Sequence, residues 1–511
     1  MKFSIPPPFN NSPLPTRNLN RRAEVTKHTL NGSTTSMDVS LWLALWVVYY
    51  VIAAGCIVVV LSENRNPIRA LSWTIALLSL PGIGLIFYLF FGRSLKGISM
   101  ISRRNKRRLM HDSRQRTSSE AYSALNPDEQ QLARLAHNIC RAPLTVNNSI
   151  RIYTEGDKKF RDLRRDLREA RKSIMVQYYI FSDDALGSEI ADILIDKARA
   201  GLQVMVIYDH VGSFSASRHF FRRMKEAGVK VHPFFRVTFP QLANRINWRN
   251  HRKIVIIDDA IGYIGGMNIA DRYVQGLPDG REWRDTHFRV EGGIIRSLFY
   301  SFSIDWNFLK PNEAGSTYRF DPPAQEKSGN VGMQLITSGP TDRWESLSLC
   351  FMKAISTARK RIYIQTPYFL PTDSLQHALE AAALAKLDVR IMIPRRSDSR
   401  LLKLASYSYI TQSLRAGIKV YLYEPGMLHA KAMIIDNSFV TAGSTNFDFR
   451  SFENNFESNL LIYDEAVNTH MRDIFFRDIN DCTKLTLKEW MKRPVLQRFY
   501  ESLLRLISPI L

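Results

Sequence analysis

The chain has 511 residues, enough for two to four domains, and a formal net charge of +22 at pH 7 with a pI near 9.8. Such a charge indicates an acidic partner, either nucleic acid or an anionic membrane, and composition alone does not choose between them. The four cysteines, Cys56, Cys140, Cys350 and Cys482, are too scattered to predict a disulfide framework or a cysteine-ligated zinc site. Nothing in the sequence calls for a metal or another cofactor.

The N-terminal part of the chain predicts a tail followed by a membrane anchor. Residues 1–38 are polar and contain five prolines before residue 16, which is typical of a disordered tail. Two uncharged runs, residues 39–62 and 70–92, are each long enough to span a bilayer as a helix. Two buried core helices are the alternative, but uncharged runs of this length are rare in soluble proteins. Joined by a short turn, the runs predict a two-helix transmembrane hairpin over 39–92.

The distribution of basic residues predicts the orientation of this hairpin. Seven Lys or Arg lie in residues 93–108, five precede the first run and two lie in the turn at 63–69. Because cytoplasmic flanks carry an excess of basic residues, both flanks and the bulk of the protein are predicted to be cytoplasmic. Residues 93–129 are assigned to a basic juxtamembrane linker, which is either a solvated spacer or a binding site for anionic headgroups.

From about residue 130 the chain becomes globular and contains an internal repeat. Three pairs of segments are similar: 170–177 with 358–365, 201–207 with 386–393, and 227–231 with 416–420. Helical and strand patterns alternate in each half, which predicts an α/β sheet covered by helices. The halves are assigned to residues 130–321 and 333–485, with a linker between them. A pseudo-two-fold pair of this kind is expected to place its site at the junction.

Two segments outside the repeat each have two interpretations. The aromatic insert at 234–249, with Phe235, Phe239 and Trp248, either lines a route into the site or packs at a domain edge. Residues 486–511 are assigned to a C-terminal amphipathic helix. That helix lies either in a membrane interface, which we prefer, or against the core of the protein.

The strongest signal is a motif that each half contains once. Residues 251–258 and 429–436 both spell H-x-K-x-x-x-x-D, and a Gly-x-x-Asn follows each at the same distance. Chance gives one such motif in roughly a few per cent of chains, whereas two copies with matching downstream residues are far beyond chance. The candidate catalytic residues are His251, Lys253 and Asp258 in the first copy and His429, Lys431 and Asp436 in the second.

These residue types suit chemistry on a phosphate. The apolar run after each Lys predicts a buried strand, along which His and Lys face one way and Asp the other. An ammonium group stabilises phosphoryl charge, and an imidazole serves as nucleophile or proton carrier. If the two copies meet, one His can attack phosphorus while the other protonates the leaving alcohol. The alternative, two surface histidines on amphipathic strands, leaves the duplication without an explanation.

The duplicated motif resembles the signature of the phospholipase D superfamily. This resemblance implies two pseudo-symmetric phospholipase D-like sandwich halves with the active site between them. It also implies a covalent phosphohistidine intermediate, no required metal, and an Asp in each motif that is mainly structural.

The same resemblance implies a set of supporting residues. Asn268 and Asn446, at the end of each Gly-x-x-Asn, are expected to hold the phosphate. A later acidic residue is expected to orient each His: Glu457 in the second copy and Asp285 in the first. Ser444 would supply a hydroxyl near the phosphate in the second copy only, because the first copy has a second Gly there.

Within the superfamily, the chain is most similar to bacterial cardiolipin synthases. The segments that carry this likeness are 64–67, 88–92, 178–181, 365–369 and 446–451. The likeness runs from about residue 39 to the C-terminus. It implies a multi-pass enzyme of the bacterial inner membrane, with its catalytic halves in the cytoplasm, that makes cardiolipin and glycerol from two phosphatidylglycerol molecules. Phosphatidylglycerol and anionic membrane lipids are the expected partners, and no nucleic acid is expected.

Four other functions remain open at this point. A phospholipase D hydrolase, or a synthase with another alcohol acceptor, would use the same site. A nuclease of the superfamily suits the positive charge but not the hairpin. A non-catalytic protein that binds anionic lipids would need a degenerate motif, and both motifs are complete. The sequence does not determine which His is the nucleophile, nor the oligomeric state.

Overall fold

The structure is a computed structural model that describes residues 23–62, 67–92, 96, 100, 119–237, 248–310, 320–321 and 329–508. It divides into two compact units, Met1–Arg93 and Ser94–Leu511. Several predictions concern residues outside the described ones. These are the tail before residue 23, part of the turn (63–66), most of the basic linker (101–118), Phe239, and the linker between the halves at 322–328.

The first unit is helical. Its helices are α1 (Ala23–Ser62), α2 (Pro67–Ser79) and α3 (Ile83–Phe87), followed by a π-helical turn at Tyr88–Gly92. In the described part of the chain, one segment is long and apolar enough to cross a bilayer, Ser40–Ser62 of α1. The helix begins well before the uncharged run, in residues assigned to the disordered tail. This extension is sterically possible because the prolines of that tail all precede residue 16.

The second predicted span is not one continuous helix. Pro81 has no amide hydrogen and Gly82 has a φ of +74°, so α2 ends at Ser79 and the chain turns before α3. The uncharged run has the composition of a span, but the Pro-Gly pair interrupts it. The prediction of a helix over 70–92 is corrected accordingly.

After this turn the chain runs back along α2. The ring of Tyr88 meets that of Trp73 edge-on, with centroids 5.6 Å apart. A Cβ on Gly84 would lie 2.3 Å from the carbonyl oxygen of Ala76, so only glycine permits this approach. The two arms α2 and α3 therefore form a short helical hairpin of their own.

The second unit is built on one fifteen-stranded sheet. The first half supplies β1 (Thr145–Tyr153), β2 (Ser173–Tyr178), β3 (Gln203–Asp209), β4 (Lys230–Phe234), β5 (Ile254–Ile257), β6 (Ile261–Gly265), β7 (Glu282–Arg284) and β8 (His287–Glu291). The second half supplies β9 (Val331–Ser338), β10 (Arg361–Gln365), β11 (Phe369–Leu370), β12 (Asp388–Pro394), β13 (Lys419–Tyr423), β14 (Gly426–Leu428), β15 (Ala432–Ile435), β16 (Phe439–Gly443), β17 (Phe447–Asp448), β18 (Glu457–Tyr463) and β19 (Cys482–Lys484).

The strand order confirms two related halves. Outward from the centre, the first half runs β1-β8-β6-β5-β2-β3-β4 and the second β9-β18-β16-β15-β10-β12-β13, with β19 at the edge. The antiparallel pair β1–β9 joins the halves into one sheet. The motif strands β5 and β15 occupy equivalent places, each antiparallel to the second strand of its half, β2 or β10. Four of the nineteen strands named above lie outside the main sheet and form two parallel pairs, β7 with β14 and β11 with β17.

Helices cover both faces of this sheet. They are α4 (Ser119–Ser123), α5 (Pro127–Cys140), α6 (Gly156–Glu169), α7 (Ala185–Arg199), α8 (Arg218–Glu226), α9 (Arg272–Gln275), α10 (Ile294–Leu309), α11 (Ser346–Thr357), α12 (Asp373–Leu384), α13 (Arg400–Ala416), α14 (Phe449–Glu453), α15 (Glu465–Asn480), α16 (Leu487–Met491) and α17 (Val495–Ile507). Helices α10 and α15 pack into one hydrophobic core, and α6, α7, α11 and α13 into the other. The C-terminal segment thus contains two helices rather than one.

The aromatic insert packs in the core. Phe235 lies 5.5 Å from Phe308 and 5.8 Å from Phe456, measured between ring centroids, and Trp248 is buried beside it. For these two residues the structure favours packing at a domain edge over a route into the site.

Candidate active site

Each motif places its Asp away from its His and Lys. Asp258 and Asp436 follow the motif strands in the left-handed region, with φ of 52° and 49°. The carboxylate of Asp258 accepts the backbone amides of residues 171–173 at 2.7–2.9 Å, and that of Asp436 accepts those of residues 359–361 at 2.8–2.9 Å. These carboxylates fasten the start of β2 and of β10. They do not contact the histidines, so we move both Asp residues from the catalytic set to a structural role.

Each motif histidine is held by an acid from the other half. His251 Nδ1 lies 3.0 Å from Glu457 Oε1, and His429 Nδ1 lies 2.6 Å from Asp285 Oδ2. The sequence assigned each acid to the motif of its own copy, and this assignment is corrected. Spacing along the chain shows that each copy carries an acid but not which imidazole the acid reaches.

Backbone hydrogen bonds fix this exchange. The amide of His251 donates to the carbonyl of Phe456 at 2.9 Å, and the amide of His429 donates to the carbonyl of Arg284 at 2.7 Å. Phe456 and Arg284 are the residues directly before the two acids. Each histidine is therefore tied, through backbone and side chain, to the opposite half, and both lie where the halves join.

Ser444 and its counterpart Gly266 fit different acids. The hydroxyl of Ser444 donates to Glu457 Oε2, rather than facing outward for a phosphate. At Gly266 a Cβ would lie 2.1 Å from Asp285 Oδ1, so the shorter acid occupies the space that a side chain would need. The Gly–Asp pair of the first half and the Ser–Glu pair of the second half occupy equivalent positions: a short acid lies beside Gly, and a longer acid bonds to Ser.

The motif lysines lie beside their histidines. Lys253 and Lys431 are buried, and the Nζ of each donates to the carbonyl of the His two residues before it. Lys431 Nζ also lies 2.7 Å from the Nδ1 of His429 and 3.9 Å from Asp285 Oδ2. Burial lowers the pKa of both lysines, and the charges of Asp285 and Glu457 raise it, so the two lysines lie within electrostatic reach of both carboxylates.

Burial sets the protonation of the site. Burial lowers the pKa of His251, although the charge of Glu457 raises it. Burial and the charge of Lys431 together lower the pKa of His429 to about 4. Burial would raise the pKa of Asp285, but the charges of Lys431 and His429 hold it below its usual value. A neutral imidazole that donates its Nδ1 hydrogen to an ionised carboxylate has a lone pair on Nε2, the state in which a histidine is a nucleophile.

The two asparagines differ in their surroundings. Asn268 Nδ2 donates to the hydroxyl of Tyr273 at 2.7 Å, and its Oδ1 accepts the amide of Ile180 at 3.1 Å. Asn446 is buried, and its Oδ1 has no hydrogen-bond partner among the described residues. The amide of Asn446 donates to the carboxylate of Asp448. The predicted phosphate-holding role of both asparagines therefore stays a prediction, with both amides already engaged.

Two buried Arg–Asp–Gln sets support the acids, and the sequence analysis missed them. Arg252 donates to Asp305 at 2.7 and 2.8 Å and to the carbonyl of Glu457 at 3.2 Å; Gln177 also donates to Asp305, at 2.5 Å. Buried charges paired in this way hold a fixed geometry.

The second set repeats this pattern around the other acid. Arg284 donates to Asp478 at 2.7 Å and to the carbonyl of Asp285 at 2.9 Å, and Gln365 donates to Asp478 at 2.6 Å. A signal was present in the sequence, because Gln177 and Gln365 occupy the same position of the internal repeat.

Aromatic rings wall the histidines. Tyr179 lies 4.9 Å from His251, and Trp283 and Tyr273 lie 5.2 and 6.1 Å from His429, measured between ring centroids. All three rings are largely buried, so both histidines have low-dielectric surroundings. Electrostatic interactions between the charged groups of the site are stronger there than in water.

Family models match both units of the chain. Residues 163–277 and 351–479 match the model described as "Cardiolipin synthase, PLD-like domain", and residues 43–93 match "Phospholipase_D-nuclease N-terminal". The first match falls once on each half and includes both motifs.

Individual proteins give the same result. The chain is 36% identical over 480 residues to the "Major cardiolipin synthase ClsA" of Bacillus subtilis, covering 92% of this chain and 99% of that protein. It is 38% identical over 478 residues to a "Cardiolipin synthase" of Oceanobacillus iheyensis, with the same coverage. A crystal structure of phosphatidylserine synthase from Haemophilus influenzae has the same fold, with a TM-score of 0.57 at 15% identity over 75% of this chain and 100% of that one. The chain therefore belongs to the bacterial cardiolipin synthase family of the phospholipase D superfamily.

Proposed function

We propose that the protein makes cardiolipin and glycerol from two phosphatidylglycerol molecules through a phosphohistidine intermediate. One observation carries the proposal: two buried histidines are each held at Nδ1 by a carboxylate of the opposite half, and each has a buried lysine beside it. With Nδ1 occupied, Nε2 is the nitrogen that each ring offers to a substrate. The family relationship supports the choice of lipid.

The first step transfers a phosphatidyl group to the protein. Nε2 of one histidine attacks phosphorus, the N–P bond forms, and the bond from phosphorus to the glycerol oxygen breaks. The other histidine enters this step as an imidazolium, because the negative charge of the bound phosphodiester favours the protonated form. It gives its Nε2 proton to that oxygen and becomes neutral, and glycerol leaves.

The second step transfers the group to the other lipid. The histidine that lost its proton takes one from the terminal hydroxyl of the second phosphatidylglycerol. The hydroxyl oxygen attacks phosphorus, the N–P bond breaks, and cardiolipin forms. Both imidazoles return to their starting state, so the cycle needs no oxidant, reductant or nucleotide.

The lysines and the walls of the site supply the electrostatic part of catalysis. Lys253 and Lys431 face the non-bridging phosphoryl oxygens, where negative charge develops. The carboxylates of Asp285 and Glu457 stabilise each imidazole when it carries charge. Rings that exclude water favour a lipid hydroxyl as acceptor over hydrolysis.

Product analysis tests this function. Purified protein in vesicles receives labelled phosphatidylglycerol without nucleotide or added metal. Cardiolipin and glycerol in equal amounts support the proposal. Phosphatidic acid as the main product would make the protein a hydrolase, and no turnover of lipid would contradict the assignment of donor and acceptor.

We also propose that α1 crosses the membrane and that α2 and α3 re-enter from the side on which α1 ends. The return of Tyr88 to Trp73 supports this arrangement over a second full span. Nine Lys or Arg lie in residues 63–69 and 93–108, against five before the uncharged run of α1, so the positive-inside bias places the catalytic unit in the cytoplasm. The N-terminus then lies outside.

Cysteine labelling tests this topology in a variant whose four native cysteines are replaced. We expect Ser12→Cys to react with a membrane-impermeant maleimide added to intact spheroplasts, and Asn64→Cys to react only after lysis, because the re-entrant arm leaves the turn inside. The reverse pattern would restore the hairpin that spans twice.

The C-terminal helix presents an apolar face to the outside of the protein. Val495 and Leu506 are 73% and 77% exposed, whereas Glu501, on the opposite side, is 2% exposed and pairs with Arg493 at 2.6 Å. The polar side of α17 thus faces its own protein, against α13. We propose that the apolar side inserts into the membrane interface, which corresponds to the first of the two sequence interpretations.

An environment-sensitive fluorophore tests this contact in the same cysteine-free background. The fluorophore is attached at Leu503→Cys, and its emission is compared in detergent-free nanodiscs of zwitterionic and of anionic lipid. We expect the emission to shift to the blue in anionic lipid, because the basic residues near α17 attract the helix to an anionic surface. A label on Gln497→Cys, a half-buried position on the polar side of α17, is the control. Equal responses at both positions would contradict the proposal.

A further inference from the structure

An arginine and a tryptophan of the first half lie near His429, and the steps above use no hydrogen bond from either. Arg272 opens α9, four residues after the Asn of the first Gly-x-x-Asn, and Trp283 lies in β7, two residues before Asp285. The guanidinium carbon of Arg272 is 5.1 Å from the centroid of the Trp283 ring and 5.7 Å from that of Tyr273. A guanidinium stacked on two rings is held in place while its donors stay available.

These residues are close to the reacting histidine. The centroid of Trp283 is 5.2 Å from that of His429. Together with the stacking distance, this places the guanidinium carbon of Arg272 within about 10 Å of the imidazole.

Two buried donors here have no acceptor. Neither Nε of Arg272 nor Nε1 of Trp283 has a hydrogen-bond partner in the described part of the chain, and Trp283 is only 8% exposed. No described carboxylate lies within ion-pair distance of Arg272. Buried donors almost always have an acceptor. Two donors without one, near a reacting group, point to the oxygens of a ligand.

The second half does not repeat this arrangement. Arg450 occupies the position of Arg272, four residues after its Asn, but the position of Trp283 is taken by Asn455. The amide of Asn455 donates to Glu457 at 3.2 Å. The indole donor therefore exists only beside His429, and the two sides of the site are not equivalent.

We propose that Arg272 and Trp283 bind the phosphate of the acceptor phosphatidylglycerol. This inference rests on the proposed function. In the product, six bonds of the linking glycerol separate the two phosphorus atoms, a reach of roughly 7 Å for an extended chain. A second phosphate held by Arg272 thus brings the terminal hydroxyl of its own lipid to the phosphorus near His429. Glycerol or water as acceptor carries no phosphate and gains nothing from this site.

Comparison of two acceptors with one donor tests the inference. Full-length protein in vesicles receives phosphatidylglycerol and labelled free glycerol, and the rates of cardiolipin formation and of glycerol exchange into phosphatidylglycerol are measured together. We expect Arg272→Gln to lower the ratio of the two rates at least tenfold. Trp283→Phe, which keeps the ring but removes Nε1–H, should lower the ratio in the same direction. Arg281→Gln is the matched control, because Arg281 lies between the same two residues and pairs with Asp279 at 2.6 Å.

The outcomes separate this inference from the proposed function. If the parent protein performs neither reaction, the function itself fails. If the parent performs both and the ratio is unchanged in Arg272→Gln and in Trp283→Phe, the acceptor site is overturned whatever the absolute rates. An equal fall of both rates would give these residues a role in donor binding or in folding, and would also overturn it.

Discussion

Replacement of either motif histidine by alanine is expected to reduce cardiolipin formation by at least about 10³-fold. His251→Ala and His429→Ala each remove a group that the cycle uses twice, one as nucleophile and leaving group, the other as acid and base. The losses should not multiply in the double variant, because residues that act as a unit are strongly non-additive.

The measurement is the initial rate of cardiolipin formation from labelled phosphatidylglycerol in vesicles, normalised to folded protein. His377→Ala, an exposed histidine of α12, is the matched control and should keep the parental rate. If either motif variant retained more than a tenth of the parental rate, that histidine would not act in the cycle.

The second large effect concerns the crossed acids. Asp285→Asn and Glu457→Gln are expected to lower the rate by about 10²–10⁴-fold, since each leaves an imidazole without the carboxylate that fixes its tautomer and stabilises its charged form. Both substitutions conserve shape, so the fall should appear in kcat without loss of folded protein, measured by the same assay and by thermal unfolding.

Substitutions at the two equivalent positions beside the acids, Gly266→Ser and Ser444→Gly, test the role of the acids further. Gly266→Ser should resemble Asp285→Asn, because the new Cβ would lie 2.1 Å from Asp285 Oδ1 and displace it from His429. Ser444→Gly removes one hydrogen bond to Glu457 and leaves space, so its effect should be at most about tenfold. Equal effects of the two substitutions would contradict the description of the Gly–Asp and Ser–Glu pairs.

Much of this site could be predicted from the sequence, because its main residues are close together along the chain. The two motifs and the repeated segments around Gln177 and Gln365 predict two α/β halves with His and Lys before a buried strand. These features depend on periodicity and local spacing, which a single sequence displays.

The remaining features depend on contacts between distant segments. Which acid reaches which imidazole is decided by backbone pairing of residue 251 with 456 and of 429 with 284, and no spacing encodes that exchange. The same holds for Arg252 and Arg284, both from the first half, which support one acid in each half. In the membrane unit, composition predicts two spans, but Pro81 and Gly82 turn the second one back on itself.

Trapping the covalent intermediate tests the central claim most directly. The protein is mixed in excess with phosphatidylglycerol labelled at phosphorus, quenched in alkaline denaturant within a single turnover, and digested. Label bound to the peptide that contains His251 or the one that contains His429, through an acid-labile and alkali-stable bond, is the predicted result, and it also identifies the nucleophile. Formation of cardiolipin at full rate with no protein-bound label at any time would contradict the account.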